Sequence, residues 1–329
     1  MRRRGRMPLF FVAMLALGLS AIALVACSSD DNGGDADPTA VSTDSGTSMP
    51  DLSGDIDGDG SSTVFPITEA VAEEFLALHS DVRVTVGIAG TGGGFEKFCA
   101  GEIDFNDASR PIKEEEAQAC TDAGIAYTEF QVAFDGLSVV TNLSNDFVDC
   151  LTVEELKKIW EPAAEGAVTN WNQVRDGFPD KEISLYGPGT DSGTFDFFTK
   201  EINGEEGDSR ADYQASEDDN VLVTGIAGDD GGLGYFGLAY YEENAGQLKL
   251  LGVDDGTGCI QPTSTTVLDG TYAPLSRPLY VYFSNESLAR PEVEEFVRFY
   301  LTEGPVLAAE VGYVEATDVI YQEGLAKLP

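Results

Sequence analysis

The sequence predicts an α/β protein of two lobes, each a mostly parallel sheet flanked by helices, with a ligand cleft between them. Segments with strand-like and helix-like patterns alternate along the chain, which is typical of α/β architecture. Two long apolar segments, residues 131–142 and 272–283, separate an outer pair of sequences from a middle one. These segments are the predicted crossings between the lobes, and ligands favour the cleft that such an arrangement leaves.

Five parts are expected along the chain. Residues 1–26 are a signal peptide and residues 27–54 an acidic tether. Residues 55–137 form the first part of lobe 1, and residues 138–264 form lobe 2. Residues 265–329 return to lobe 1 and complete it.

The first residues have the pattern of a secretory signal. Four arginines precede an apolar run from Pro8 to Ala26. The segment Leu24-Val-Ala-Cys27 resembles the lipobox of bacterial lipoproteins, so Cys27 is predicted to be the lipidated first residue of the mature chain. The alternative is a single membrane-spanning anchor. Residues 28–54 contain six aspartates and no Lys or Arg, which predicts a flexible tether holding the folded part outside the cytoplasm at a membrane surface.

The chain is strongly acidic, and this limits its partners. Its formal charge of −39 loses four positive charges with the signal peptide and becomes −43. Nucleic acid is excluded as a partner by this charge. A site for an anion has to work through local dipoles and donors against an unfavourable overall field.

Four cysteines remain after Cys27: Cys99, Cys120, Cys150 and Cys259. An even count in an exported chain favours two disulfides over a metal site. Three pairings are possible. We expect Cys99–Cys120 and Cys150–Cys259, because each bond then stays within one lobe.

In the first strand of lobe 1, residues 54–60 resemble the start of an EF-hand calcium loop. The twelfth position of that loop would be Pro66, where the motif needs a bidentate acid. We therefore expect a strand and a turn here, and no metal.

At three places a strand, a turn rich in glycine or hydroxyl groups, and a helix follow one another. They carry Ser62 and Thr63, then Thr91 and Gly92, and finally the segment Gly187–Phe198. Amide groups at the start of a helix can bind an anion. The alternatives are hydroxyls that only cap a helix and glycines that only allow a tight corner.

Arg110 ends the next strand of lobe 1. Its fork can donate two hydrogen bonds to one oxyanion, which makes it a candidate anion ligand. The alternative is an ion pair with one of the many acids of the chain.

Taken together, these segments resemble the phosphate-binding lipoproteins of bacterial phosphate ABC transporters, over residues 54–328. The resemblance rests on motifs that occur in the family's order: Gly60-Ser-Ser-Thr-Val-Phe-Pro66, Gly90-Thr-Gly-Gly-Gly-Phe95, Asp107-Ala-Ser-Arg-Pro-Ile112, Asp135-Gly-Leu-Ser-Val-Val140, Leu156-Lys-Lys-Ile-Trp160, Thr190-Asp-Ser-Gly-Thr-Phe195 and Ser276-Arg-Pro-Leu279. It implies a two-lobed periplasmic-binding-protein-like fold of type II that closes around one phosphate. It also implies that Ser62, Thr63, Thr91 and Gly92 bind from one lobe and Ser192, Gly193 and Thr194 from the other.

The proton acceptor departs from the family pattern. Some members have an aspartate after Ala-Ser and an arginine four residues before Ser-Gly-Thr, where this chain has Arg110 and Pro188. A carboxylate that accepts the phosphate proton would reject sulfate, which carries none. Asp191 is the candidate, with Asp107 and Asp135 behind it. Alternatively, Asp191 pairs with Arg110 across the cleft.

The function expected is capture of inorganic phosphate by a monomer and delivery to the permease subunits of an ABC transporter, without a cofactor. A sensor or scavenger of phosphate, or a binder of another tetrahedral oxyanion such as sulfate, is the alternative on the same fold. Catalysis is not expected. Asp191-Ser-Gly-Thr194 matches the tetrapeptide of aspartic proteases but has no second copy, and His79 is the only histidine.

Overall fold

A computed structural model describes residues 52–190 and 192–329. The predicted signal peptide, the lipidated Cys27, nearly all of the tether and Asp191 lie outside these residues. Within the described part of the chain, no helix has both the length and the apolar character needed to cross a bilayer.

Lobe 1 begins with three parallel strands. The first elements are β1 (Gly54–Gly60), α1 (Phe65–Leu78), β2 (Val82–Val86), α2 (Gly90–Cys99), β3 (Phe105–Ala108), α3 (Glu114–Ala123) and β4 (Tyr127–Asn142). Strand β1 lies between β2 and β3 and is parallel to both. Helix α1 has Pro66 in its first turn and buries Ile67, Val71 and Phe75, which are four residues apart and so share one face.

Lobe 2 follows with shorter elements. They are β5 (Cys150–Thr152), α4 (Val153–Trp160), β6 (Ser184–Gly187), α5 (Gly193–Phe198), β7 (Gln214–Ala215), α6 (Asp219–Gly228), β8 (Gly232–Gly237), α7 (Leu238–Asn244), β9 (Leu248–Asp254), β10 (Cys259–Ile260) and α8 (Ser264–Leu268). The predicted capping box opens α4: the Thr152 hydroxyl accepts from the Glu155 amide at 3.1 Å, and the Glu155 carboxylate accepts from the Thr152 amide at 2.9 Å.

The chain then returns to lobe 1. The last elements are β11 (Ser276–Ser284), α9 (Asn285–Leu288), α10 (Pro291–Thr302), α11 (Gly304–Glu310), β12 (Val314–Glu315) and α12 (Asp318–Leu325). Tyr300 of α10 reaches α1, where its hydroxyl lies 2.9 Å from that of Thr68. This segment therefore packs on the helix that starts at the first hydroxyl loop.

Strand β4 belongs to both lobes. Residues 127–136 pair with β11, and residues 137–142 pair with β8 and β9. Gly136 lies where the partner changes, and a Cβ atom there would come within 2.7 Å of the Val267 side chain. A glycine is thus needed for α8 to pack against the crossing.

The sheets are mixed, although mostly parallel sheets were expected. The pairs of β1 with β2 and β3, of β6 with β7 and β8, and of β5 with β9 are parallel. Strands β4 and β11 run antiparallel to their neighbours, and β10 runs antiparallel to β9. The reason is the crossing itself, because a strand that enters one lobe and a strand that returns from it run in opposite directions. The α/β fold with two lobes is confirmed.

Both predicted disulfides are present. Cys99 is bonded to Cys120, which joins α2 to α3, and Cys150 is bonded to Cys259, which joins β5 to β10. Each bond stays within one lobe.

Candidate functional site

A cavity of about 580 Å³ lies between the lobes and receives loops from both of them. Its walls are the β1–α1 loop, the start of α2, the segment after β3, α5 with the turn that follows it, and the start of β11. The lining residues are Ser61, Ser62, Thr63, Ala89, Gly90, Thr91, Gly92, Ser109, Arg110, Pro111, Lys113, Asp196, Phe197, Lys200, Glu201, Glu206, Ser276, Arg277 and Pro278. Five residues predicted to bind phosphate, from three separate motifs, are therefore brought together: Ser62, Thr63, Thr91, Gly92 and Arg110.

The β1–α1 loop is shaped by Gly60. Its φ is 137°, and a Cβ atom there would lie 2.2 Å from the carbonyl oxygen of Asp107 on β3. The hydroxyl of Ser61 accepts from the Thr63 amide at 3.2 Å. Helix α1 has no side chain bonded at its N-cap, Val64, so the loop places hydroxyls beside the positive end of a helix of 14 residues.

The start of α2 supplies the second hydroxyl. Thr91 Oγ1 accepts from the Ser109 amide at 3.1 Å and lies 3.1 Å from the Ser109 hydroxyl, which ties α2 to the end of β3. The glycines of this turn also serve packing: a Cβ atom at Gly94 would lie 1.8 Å from Asn106 Oδ1. The run is thus partly a tight corner, and Thr91 and Gly92 are the members that reach the cavity.

Arg110 faces the cavity with its charge already paired. Its Nη1 and Nη2 atoms donate to the two carboxylate oxygens of Glu116 on α3, at 2.8 and 2.7 Å. Burial raises the pKa of Glu116, but the hydrogen bonds from Arg110 and from the Lys113 amide, together with the charges of these two residues, lower it by more, so that the net shift is downward. Arg110 therefore forms the ion pair expected as the alternative and also lines the cavity, and its role as an anion ligand stays a prediction.

The loop from lobe 2 closes the cavity rather than lining it. Ser192 is the N-cap of α5, and its hydroxyl accepts from the Thr194 amide at 3.2 Å. The carbonyl oxygen of Gly193 lies 3.4 Å from Thr63 Oγ1, across the cleft. A Cβ atom at position 193 would come within 2.6 Å of the same hydroxyl, so only glycine allows this approach.

Arg277, which the sequence did not single out, lies at the centre of the contact between the lobes. Its Nη2 atom donates to Thr63 Oγ1 at 2.7 Å and to Asp135 Oδ2 at 3.1 Å, and it lies 3.5 Å from the Gly193 carbonyl oxygen. Its guanidinium stacks over the Phe197 ring of α5 at 3.7 Å. The signal was present, because Arg277 stands in the motif Ser276-Arg-Pro-Leu279 at the start of the return crossing.

Two of the candidate proton acceptors, Asp135 and Asp107, bond to other side chains of the protein and do not line the cavity. Asp135 is fully buried and bonded to Arg277; burial raises its pKa and the guanidinium opposes that shift. Asp107 points into the lobe 1 core, where its Oδ1 accepts from the Thr68 hydroxyl at 3.0 Å, and burial raises its pKa well above the usual range. Neither residue lines the cavity. Asp191 lies outside the described residues.

Asp196 is the acid that the sequence analysis missed. It lies in α5, lines the cavity, and makes no side-chain hydrogen bond or ion pair with any described residue. Burial and the nearby Glu206 carboxylate raise its pKa to about 6, against the opposing charge of Arg277. Nothing in the local sequence indicated this, because the shift depends on how the lobes meet.

A larger cavity of about 710 Å³ lies in lobe 1, bordered by the start of β1 and the end of β11. Within it, Arg290 pairs with Asp104 at 2.7 Å, and Ser287 donates to the same carboxylate at 2.7 Å. It contains none of the residues predicted to bind a ligand.

The cavity between the lobes can hold a small oxyanion. Hydroxyl and guanidinium donors surround it on the lobe 1 side, and a carboxyl group without a partner among the described residues lies in α5 on the other side. A carboxylate next to an anion is unfavourable unless a proton lies between them. The arrangement therefore suits an oxyanion that carries a proton.

Comparison with known proteins identifies a family and several relatives of the chain. A family model described as a PBP superfamily domain matches residues 37–303. Protein SphX of Synechococcus elongatus is 52% identical over 260 residues, which cover 79% of this chain and 77% of that protein.

Two solved structures show the same likeness. A possible phosphate binding protein from Planctomyces limnophilus superposes with a TM-score of 0.80 at 49% identity, covering 84% of this chain and 99% of that one. An ABC-type phosphate transport receptor from Vibrio cholerae has a TM-score of 0.60 at 26% identity, covering 80% and 100%.

Proposed function

The chain belongs to the PBP superfamily, and we propose that it is an extracytoplasmic receptor that captures inorganic phosphate between its lobes and delivers it to an ABC permease. One observation carries the proposal: a single cavity collects Ser62, Thr63, Thr91, Gly92 and Arg110 from three separate motifs. Two solved structures that it resembles are described as a possible phosphate binding protein and an ABC-type phosphate transport receptor.

In this proposal the ligand is held from both sides. Lobe 1 donates through the hydroxyls of Ser62 and Thr63, through Thr91 with the Gly92 amide, and through Arg110. Lobe 2 closes over it with Ser192, Gly193 and Thr194. Closure uses a hinge at the two crossings, β4 and the segment that leads into β11, between lobe 1 (residues 55–137 and 265–329) and lobe 2 (residues 138–264).

Asp196 would supply the selectivity for phosphate. Its carboxyl group faces the cavity without a partner among the described residues, so it is free to share a proton with the ligand. Phosphate brings that proton at neutral pH, whereas sulfate does not. Asp196 therefore takes the role expected of Asp191, and sulfate is disfavoured by charge repulsion.

The chain is proposed to act at a membrane surface. Residues 1–26 would direct export, Cys27 would carry the lipid, and residues 28–54 would tether the receptor within reach of the permease. We expect a monomer that binds and releases its ligand without transforming it.

Isothermal titration of the purified receptor, residues 28–329, with phosphate, sulfate and arsenate tests the function. One phosphate per chain, with little heat from sulfate, is the expected result. Arsenate should bind as phosphate does, because it also carries a proton near neutral pH. Equal binding of sulfate, or no binding of phosphate, contradicts the proposal.

A further inference from the structure

We propose that Arg277 is a positioning residue that fastens the two lobes together and turns the Thr63 hydroxyl toward the ligand. The inference rests on the proposed binding of phosphate in the cavity between the lobes. One side chain would then both stabilise the closed form and orient the hydroxyl that donates to the ligand.

The anchor of Arg277 lies on the crossing strands. Its Nε and Nη2 atoms donate to Asp135 Oδ2 at 3.2 and 3.1 Å, which joins the start of β11 to β4. Both side chains are largely removed from solvent, with 17% and 5% of their surface exposed. A buried pair of this kind holds the guanidinium in one place and leaves the rest of its fork for other acceptors.

The second contact, between Arg277 and Thr63, determines where the hydrogen atom of the Thr63 hydroxyl points. A guanidinium donates hydrogen bonds and accepts none, so Thr63 Oγ1 must be the acceptor of the 2.7 Å bond from Arg277 Nη2. The single hydrogen of the Thr63 hydroxyl then points elsewhere. The protein acceptor within reach is the Gly193 carbonyl oxygen at 3.4 Å, a long and weak bond. An oxyanion in the cavity is a better acceptor for that hydrogen.

The third contact reaches lobe 2. The guanidinium covers the Phe197 ring at 3.7 Å, and Nη2 lies 3.5 Å from the Gly193 carbonyl oxygen. Opening the cleft keeps Arg277 with Asp135 and Thr63 but separates it from Phe197 and Gly193. These contacts therefore exist only in the closed form and stabilise it.

The alternative is that Arg277 only neutralises the buried Asp135. Arg277→Lys distinguishes the two roles, because a lysine keeps the positive charge but cannot reach Asp135 and Thr63 with one planar fork. If Arg277 only neutralises Asp135, the lysine variant should bind phosphate as the wild type does. If Arg277 positions Thr63, the lysine variant should bind phosphate more weakly.

The experiment is a double-mutant cycle of Arg277→Lys and Thr63→Val, with phosphate affinity measured by calorimetry and release by stopped flow. Each single variant should weaken phosphate binding about tenfold or more, mainly through faster release. The double variant should lose clearly less than the sum of the two single losses, because part of the effect of Arg277 passes through Thr63. Thr63→Ser, which keeps the hydroxyl, should bind nearly as the wild type.

Further measurements keep the inference separate from the proposed function. Small-angle scattering without ligand should show a larger radius of gyration for Arg277→Lys than for the wild type. Arg298→Lys, a surface ion-pair arginine on α10, is the matched control and should change neither property. If the wild type binds no phosphate, the function is wrong and the scattering still tests the fastening. Additive losses in the cycle, or unchanged scattering, overturn the role of Arg277.

Should Arg277→Lys fail to fold, Thr63→Val against Thr63→Ser decides the orientation of the donor. A loss of binding in the valine variant alone supports it, and equal loss in both overturns it.

Discussion

Asp196 is a carboxyl group in a cavity whose lobe 1 side offers hydroxyl and guanidinium donors to an anion. Its neighbours in the cavity include Glu206, which disfavours its ionised form, and Arg277 and Lys200, which are cationic. Arg277 is already paired with Asp135, so the negative charge of Asp135 offsets much of the attraction between Arg277 and the Asp196 carboxylate. The acid can remain in an anion site only if one proton lies between it and the ligand.

Asp196→Asn should relax the discrimination between phosphate and sulfate. The amide carries no charge and can donate a hydrogen bond to a fully ionised oxygen, so we expect sulfate affinity to rise about tenfold or more while phosphate affinity falls. Calorimetry with both anions measures the change. Glu201→Gln, which removes the same charge from an exposed acid of the same cavity, is the control. An unchanged ratio of the two affinities would remove Asp196 from selectivity.

The pH dependence of sulfate binding follows from the raised pKa of Asp196. The ordinary value of 3.8 becomes about 6 in the folded protein, so the group is ionised above that pH and protonated below it. The ionised form repels sulfate and the protonated form can donate to it. Sulfate affinity of the wild type should therefore increase as pH falls from about 8 to about 5. Titrations of Asp196→Asn over the same range should show no such increase.

At the level of single residues, the sequence predicted the site best where the role of a residue depends only on its neighbours in the chain. Thr63 and Thr91 were expected at the site because each precedes a helix, and both line the cavity. Asp196 and Arg277 could not be assigned, since their roles depend on contacts between distant segments: Arg277 bonds to Thr63 and Asp135, which lie 214 and 142 residues away in the sequence. Asp107 was also a candidate in the sequence, but β3 is buried along its whole length and Asp107 lies in the core.

Among the elements, the three strand–turn–helix junctions are the part that the sequence predicted best. The segment Gly187–Phe198 was expected to end a strand and open a helix near Ser192, and α5 begins at Gly193 with Ser192 as its cap. The direction of the strands could not be predicted, because periodicity does not show which neighbour β4 and β11 pair with. That pairing depends on the whole path of the chain.

Gly193→Ala should hold the cleft partly open. The new methyl group would lie 2.6 Å from Thr63 Oγ1 and 2.9 Å from the Thr63 backbone. Because both distances are too short, the two lobes would have to move apart at this point. Overpacking of this kind costs about 1–3 kcal/mol, and we expect the loss to appear in phosphate affinity rather than in thermal stability. Gly228→Ala, at a position with nothing within 4 Å of a new Cβ atom, is the control. Equal affinities of the two variants would show that the lobes do not close at Gly193.

The two disulfides should differ in their contribution to stability. Cys150–Cys259 closes a loop with a sequence separation of 109, and Cys99–Cys120 one of 21. Removing the longer link as Cys150→Ala with Cys259→Ala should lower the free energy of unfolding by about 2–5 kcal/mol, and by more than removing the shorter one, because it frees more chain entropy in the unfolded state. Urea unfolding of both double variants measures this. If removing Cys99–Cys120 lowered the free energy of unfolding more, the contact between α2 and α3 would contribute more to stability than loop length does.

At the scale of the whole molecule, binding of an anion opposes the net charge. The cavity itself offers little compensation, since Arg110 is paired with Glu116, and the cavity is lined by Asp196, Glu201 and Glu206 as well as by Lys113 and Lys200. Attraction must come from oriented donors at contact distance, which act over a few ångströms. The long-range field of a chain with a formal charge of −39 remains repulsive.

The association rate of phosphate should therefore rise with ionic strength. Salt shortens the screening length from about 30 Å at 0.01 M to about 8 Å at 0.15 M, which removes the repulsion from distant acids but leaves the hydrogen bonds inside the cavity intact. Stopped-flow measurements across this range, with chloride as the added anion, should show faster association and a nearly constant release rate. An association rate that falls with salt would mean that Lys113, Lys200 and the two arginines create a local attractive field, and that the acidic surface plays no part in capture.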